Sequence, residues 1–276
     1  MSHEDNDRST SAGPSSTIFS KVPAVTLTFW VIKILATTLG ETGGDAVTMT
    51  WLGETTAAAN PNGYLIGTGI FASVLVVLVI LQIIAKKFHP FLYWATIIAS
   101  TTAGTTLADF ADRSLGIGYT GGSTVLFICV ITVLAIWYWS EGTIAVETVS
   151  KPKPEAFYWA TITFSQTLGT ALGDWMADTS GFGFFGAALV FMAALAVVAA
   201  LYYWTDVSRV LLFWAAFILT RPLGATVGDF LDKPLNHGGL NFSRPVATAF
   251  IVIIIVALVL FVPQRPGLHP SSAKSA

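Results

Sequence analysis

Two kinds of apolar stretch alternate along this chain. Residues 64–86, 119–139, 183–204 and 245–262 are apolar on every side of a helical projection. Residues 22–48, 90–112, 155–178 and 208–232 are equally long, but Gly, Thr and Asp interrupt them at regular positions. About twenty apolar residues suffice for a helix to cross the hydrocarbon of a bilayer. Helices are the expected form there, because lipid offers backbone polar groups no water. The alternation therefore predicts an all-α membrane protein of eight transmembrane helices. They fall into four two-helix units, at about 22–88, 90–140, 155–205 and 208–262. Pro23, Pro90 and Pro154 lie near the starts of three of the interrupted helices, where a missing N–H is tolerated. Turn-forming residues at 60–63, 116–122, 181–186 and 236–239 separate the two helices of each unit.

The interrupted helices repeat one pattern. An aromatic residue precedes a Trp, a Gly follows ten residues after the Trp, and an Asp fifteen residues after it. The four copies are Phe29-Trp30, Gly40, Asp45; Tyr93-Trp94, Gly104, Asp109; Tyr158-Trp159, Gly169, Asp174; and Phe213-Trp214, Gly224, Asp229. Four copies at one spacing mark a tandem repeat. Because each unit has two spans, all four point the same way. A pseudo-fourfold ring, or a pseudo-twofold pairing of repeats, follows. Gly40-x3-Gly44, Gly104-x3-Ala108, Gly169-x3-Gly173 and Gly224-x3-Gly228 let helix backbones approach closely. Those helices are expected inside, and the uniformly apolar ones outside against lipid.

Counting from each Trp, positions +7, +11, +15 and +18 share one helix face. They hold Thr37, Glu41, Asp45 and Thr48 in the first repeat, and Thr101, Thr105, Asp109 and Asp112 in the second. The third has Gln166, Thr170 and Asp174, with Asp178 one position late; the fourth has Arg221, Ala225, Asp229 and Asp232. Lys33 lies a turn before Thr37. Acids inside a membrane are costly and usually face a cavity, a partner or an ion path. Several carboxylates close together must bind a metal, hold protons or be neutralised, here by Lys33 and Arg221. Asp45, Asp109, Asp174, Asp229 and Glu41 are the candidate metal ligands. Asp112, Asp178, Asp232, Thr37, Thr101, Gln166, Thr105, Thr170, Lys33 and Arg221 are candidate supporting residues. The competing expectation is structural: each Asp caps a helix end or pairs with Arg113, Arg221 or Lys233. Oxygen ligands suit Mg²⁺, Ca²⁺ or Mn²⁺. No His lies on the stripe, so a His-built zinc site has little support.

Composition sharpens this picture. The chain of 276 residues is 54% hydrophobic and 11% charged, against roughly 25% charged in soluble domains. Its net charge of −2 and lack of a basic stripe argue against nucleic-acid binding. Cys129, the single cysteine, excludes an intrachain disulfide and a thiolate cluster, and reads as packing. No P-loop and no nucleophile–base set is present, so the chain reads as neither an ATPase nor an enzyme. No tightly bound cofactor is expected, only a divalent cation as substrate. Nine Lys and Arg residues in the tails and between repeats, against three within repeats, put both termini in the cytoplasm. Residues 1–20 and 263–276 read as cytoplasmic tails, the first disordered and without the order of a signal peptide. The Trp residues are expected in a cytoplasmic aromatic belt.

Across about residues 22–262 the repeat resembles a family of bacterial membrane proteins described only as a repeat of unknown function. The resemblance implies a multi-pass protein of the bacterial inner membrane and assigns no activity. This chain departs from the pattern with Glu41 in the first copy and Arg221-Pro222 in the fourth. The reading that follows is a transporter or channel-like carrier for a small cation. The rival is a membrane scaffold or sensor whose Asp residues only cap and pair helices.

Overall fold

The computed structural model describes residues 19–53 and 62–268. Among them are eight α-helices: α1 (Leu27–Asp45), α2 (Gly63–Ile84), α3 (Pro90–Asp109), α4 (Tyr119–Glu141), α5 (Pro152–Asp174), α6 (Gly183–Trp204), α7 (Arg209–Asp232) and α8 (Arg244–Phe261). Pro90 and Pro152 stand in the first turns of α3 and α5, where no intrahelical donor is lost. Of the turn expected at 60–63, residues 60 and 61 lie outside the described residues.

The odd-numbered helices form a closed ring. α1 packs on α3 and α7, and α5 packs on the same two from the opposite side. Each even helix lies outside and rests on the odd helix of the following repeat: α2 on α3, α4 on α5, α6 on α7, and α8 back on α1. The repeats therefore interlock in a circle. Burial follows this division. The apolar window of α7 is 61% buried, whereas those of α2, α4, α6 and α8 are between 17% and 22% buried. Five helices, α2, α4, α6, α7 and α8, are long and apolar enough to cross a membrane, rather than the eight expected. The other three, α1, α3 and α5, carry the polar stripe, and this lowers their hydropathy.

The glycines explain how the ring closes. A Cβ at Gly40 would stand 2.3 Å from Thr101 Cγ2, at Gly104 2.9 Å from the Gln166 backbone, at Gly169 2.2 Å from Arg221 Cγ, and at Gly224 2.0 Å from Thr37 Oγ1. Each +10 glycine thus receives the +7 residue of the next repeat, and the last receives that of the first. Any side chain at these positions would push the helices apart.

The aromatic pairs follow the same circular rule. Phe29 meets Trp94 (ring centroids 5.5 Å apart), Tyr93 meets Trp159 (5.8 Å), Tyr158 meets Trp214 (6.2 Å) and Phe213 meets Trp30 (5.7 Å). The Tyr93 and Tyr158 hydroxyls share a 2.6 Å hydrogen bond inside this collar. The expected belt is corrected here: Trp94, Trp159 and Trp214 are buried and Trp30 is partly so, because each ring packs on a neighbouring repeat. Exposed aromatics at that end include Tyr138, Trp139, Tyr202, Tyr203, Trp204 and Phe261, near the C-termini of α4, α6 and α8.

The inner ends of both tails are ordered. Phe19–Pro23 (β1) and Pro266–Leu268 (β2) pair as an antiparallel ladder at the aromatic end. Lys21, expected just past a disordered tail, is buried with its ammonium 2.6 Å from Glu155 and 3.0 Å from the Gln82 carbonyl. It takes up carbonyls that the C-terminus of α2 leaves open. Residues 1–18 and 269–276 lie outside the described residues.

Candidate functional site

Beyond the aromatic collar the ring axis becomes polar. Lys33 comes first. Its Nζ is buried 4.2 Å above the Phe217 ring and has no hydrogen-bond partner among the described residues. Lys33 therefore neutralises none of the candidate ligands, contrary to expectation.

One layer further along, Arg221 crosses the axis and ties all four inner helices together. From α7 its Nε donates to the Gln166 carbonyl on α5 at 3.1 Å, and its Nη1 to the Thr37 carbonyl on α1 at 3.2 Å. Its Nη2 donates to Glu41 on α1 at 3.0 Å, and to the Thr105 and Thr170 hydroxyls on α3 and α5. The fourth repeat has Ala225 where the others have Glu41, Thr105 and Thr170, and the guanidinium fills that space. A buried charge survives only when it is paired and its donors are satisfied. Arg221 meets both conditions.

The four motif aspartates form the next layer, divided into two pairs. The Lys233 ammonium binds both Asp45 and Asp229, the second at 2.9 Å. Arg113 bridges Asp109 at 2.7 Å and Asp174 at 3.3 Å. Both cations stand at +19, one turn beyond their own repeat's Asp. The backbone places Lys233 firmly: Asn241 N–H donates to its carbonyl, and Gly239 packs so close that a Cβ would fall 2.1 Å from that oxygen. Arg244, at the start of α8, completes the arrangement 3.7 Å from Asp232 and 4.0 Å from Asp45.

Local helix geometry aims these groups. Directly after Asp45, Asp109 and Asp174 the α-helix passes into a π-helical turn, at Ala46–Trp51, Phe110–Ser114 and Trp175–Thr179. Bonds from Leu52 N to Val47 O, Leu115 N to Phe110 O and Ser180 N to Trp175 O close these wider turns. Such turns insert a residue into the helix and occur frequently at functional sites. They also end the regular 3.6-residue stripe at +15. In the fourth repeat α7 runs on to Asp232 without one.

The ion pairs at this end join six carboxylates (Glu41, Asp45, Asp109, Asp174, Asp229 and Asp232) to four cations (Arg113, Arg221, Lys233 and Arg244). With all of them ionised the cluster carries two negative charges too many. Asp45 Oδ1, Asp109 Oδ2 and Asp232 Oδ1 are buried without a hydrogen-bond partner among the described residues. Glu41, Asp45 and Asp229 bring one carboxylate oxygen each to within 4.8 Å of one another, a spacing that a metal ion could bridge.

A family model described as Repeat of Unknown Function (DUF347) matches residues 28–88, 92–143, 157–208 and 212–262. The chain belongs to this family. The four matched segments coincide with the four interlocking units of the ring. No curated protein and no solved structure matches the chain.

In this DUF347 protein the predicted site residues separate into three groups. Glu41, Thr37, Thr105, Thr170 and Arg221 meet at the axial layer, and Asp45, Asp109, Asp174 and Asp229 form the layer beyond it. Asp232 and Asp112 are buried at the rim; Asp112 lies against Gly122 of α4 rather than among the paired acids. Asp178 is exposed and accepts a hydrogen bond from Tyr119 at 3.4 Å, so it stands apart from the cluster. The buried Gln166 and Thr101 offer side-chain atoms with no hydrogen-bond partner among the described residues. The sequence offers Arg113 and Lys233 as partners of the aspartates only in the rival reading, and it points to neither Arg244 nor Met49 as a member of the cluster. Position +19 carried the missing signal: Met49, Arg113, Asp178 and Lys233 occupy it in the four repeats.

Proposed function

We propose that this protein is a transporter or channel-like carrier for a small divalent cation, held by the axial carboxylates. The observation that carries the reading is the buried charge imbalance: six paired carboxylates face four cations. Intramembrane acids are expensive and recur along ion paths. A surplus of two negative charges matches one divalent ion or two protons. Lys233 then acts as a tethered counter-ion that holds Asp45 and Asp229 while no substrate is bound, and Arg113 holds Asp109 and Asp174. Glu41, Asp45 and Asp229 are the ligands that one ion could share.

Eight spans in the bacterial inner membrane belong to this reading. The three polar helices α1, α3 and α5 cross inside a sheath of apolar helices and need no apolar surface of their own. Their lengths of 19, 20 and 23 residues span about 30 Å at 1.5 Å per residue. Pairing of β1 with β2 at the aromatic end agrees with both termini lying on one side, which the Lys and Arg distribution makes cytoplasmic.

One observation favours the rival reading of a scaffold: all four motif aspartates have an ion-pair partner. Melting temperatures in detergent, with and without Mn²⁺, Mg²⁺ and Ca²⁺, separate the two. A carrier is stabilised by its ion through binding linkage. Asp45→Asn and Asp229→Asn should abolish that shift. A scaffold shows no ion-dependent shift, and each Asp→Asn change only destabilises it.

A further inference from the structure

We infer that the cation held by Glu41, Asp45 and Asp229 is a first-row transition-metal dication, and that Met49 selects it over Mg²⁺ and Ca²⁺. The inference rests on the carrier reading and adds its substrate class.

The Lys233 ammonium marks where a cation sits. Around it stand Asp45, Asp229 Oδ1 at 2.9 Å and the Met49 thioether sulfur at 3.9 Å. Met49 is 3% exposed and lies in the π-helical turn that follows Asp45. It occupies +19 in the first repeat, the position that carries Arg113 in the second and Lys233 in the fourth. Lys233 occupies Asp45 Oδ2 and leaves Asp45 Oδ1 buried and without a hydrogen-bond partner among the described residues. Glu41 adds a third carboxylate within bridging distance. The cation position is therefore lined by Asp45 with its unused oxygen, by Asp229 and by one sulfur, and a Glu41 oxygen lies within 4.8 Å of a carboxylate oxygen of each.

Sulfur is a poor acceptor for an ammonium. It also adds nothing for Mg²⁺ or Ca²⁺, which take oxygen ligands. A thioether favours softer metals, while carboxylates favour hard ones. Three oxygens with one sulfur suit ions between those limits, such as Mn²⁺, Fe²⁺ and Co²⁺. The two halves of the cluster then differ in kind. Lys233 is a compact charge on a flexible stem and can give way to an arriving ion. Arg113 grips Asp109 and Asp174 with a planar fork and stays.

The test uses the full chain in detergent, titrated with Co²⁺ and followed by absorption, with Mn²⁺, Mg²⁺ and Ca²⁺ as competitors. Wild type should bind Co²⁺ and Mn²⁺ roughly tenfold or more tighter than Ca²⁺ and Mg²⁺. It should also show a near-ultraviolet sulfur-to-cobalt charge-transfer band. Met49→Leu, close in volume, should lose that band and most of the discrimination while its metal-free melting temperature holds. Lys233→Met should bind all four ions more tightly. A wild type that binds Ca²⁺ as tightly as Co²⁺, or shows no sulfur-to-cobalt band, overturns the inference and leaves a cation carrier standing. A Met49→Leu variant with an unchanged ion preference does the same. Binding of none of the four ions by wild type or Lys233→Met overturns both the inference and the carrier reading.

Discussion

The two ends of the four-helix ring follow different symmetries. From the aromatic collar to the +10 glycines each repeat treats the next alike: the residue before one Trp meets the following Trp, and each +10 glycine meets the following +7 residue. That is a fourfold rule with a closing step. At the acidic end the four aspartates are still fourfold in sequence, but their partners are not. Cations at +19 come only from repeats two and four, so the carboxylates divide into two pairs. Glu41 and Arg221 break even that twofold order. Duplication explains the scaffold, and a scaffold needs only packing to stay fourfold. Departure from equivalence is concentrated where charge is buried, and that is where chemistry is expected.

The largest effect should come from breaking the fourfold packing. Gly224→Leu drives a side chain into Thr37 between α7 and α1, the contact that closes the ring. Overpacking a tight core costs typically 1–3 kcal/mol and sometimes more. Here the clash is with an adjacent helix, so folded yield in detergent should collapse. Gly69→Leu makes the control, because a Cβ there meets nothing within 4 Å.

Next in size is the axial guanidinium. Arg221→Met strands Glu41 without its ion pair, at a cost of about 3–5 kcal/mol for a broken buried pair. Combining it with Glu41→Gln should recover a large part of the loss, as double-mutant analysis of coupled neighbours would report. Without that recovery, Arg221 would act through its packing rather than its charge.

A moderate effect is expected from Asp109→Asn. It leaves Arg113 held by Asp174 alone and should lower stability by about 1–3 kcal/mol. The affinity for a cation at Asp45 and Asp229 should stay unchanged if the two pairs are separate. Equal loss of cation binding in Asp109→Asn and Asp45→Asn would make the layer a single fourfold site.

The smallest effect belongs to the collar. Tyr158→Phe removes one side of the 2.6 Å hydroxyl pair with Tyr93 and should cost about 1 kcal/mol, read as a small fall in melting temperature.

How far the sequence reveals this molecule differs between its ends. The repeat, the helix count and the inner–outer division are visible because apolar spacing and small-residue pairs are local patterns. The collar is not visible in this way: a Trp near a helix end reads as interfacial whether it faces lipid or the next repeat. The acids are legible because they lie on one stripe up to +15. Beyond it the π-helical turns change the angular step and bring Met49 and Arg113 inward, while Lys233 ends the regular helix α7 one turn after Asp229. Lys33 lay on the stripe by arithmetic, yet its stem ends over Phe217 and never reaches the acids.

The central claim is that the Asp45–Asp229 half of the acidic layer exchanges its lysine for a cation while the Asp109–Asp174 half does not. Uptake of radioactive Mn²⁺ into proteoliposomes tests this directly, with wild type, Asp45→Asn and Asp109→Asn reconstituted at matched folded amounts. The account predicts uptake by wild type, near-complete loss in Asp45→Asn, and uptake retained in Asp109→Asn. Wild-type uptake no greater than that of protein-free vesicles, or equal loss in both variants, would contradict it.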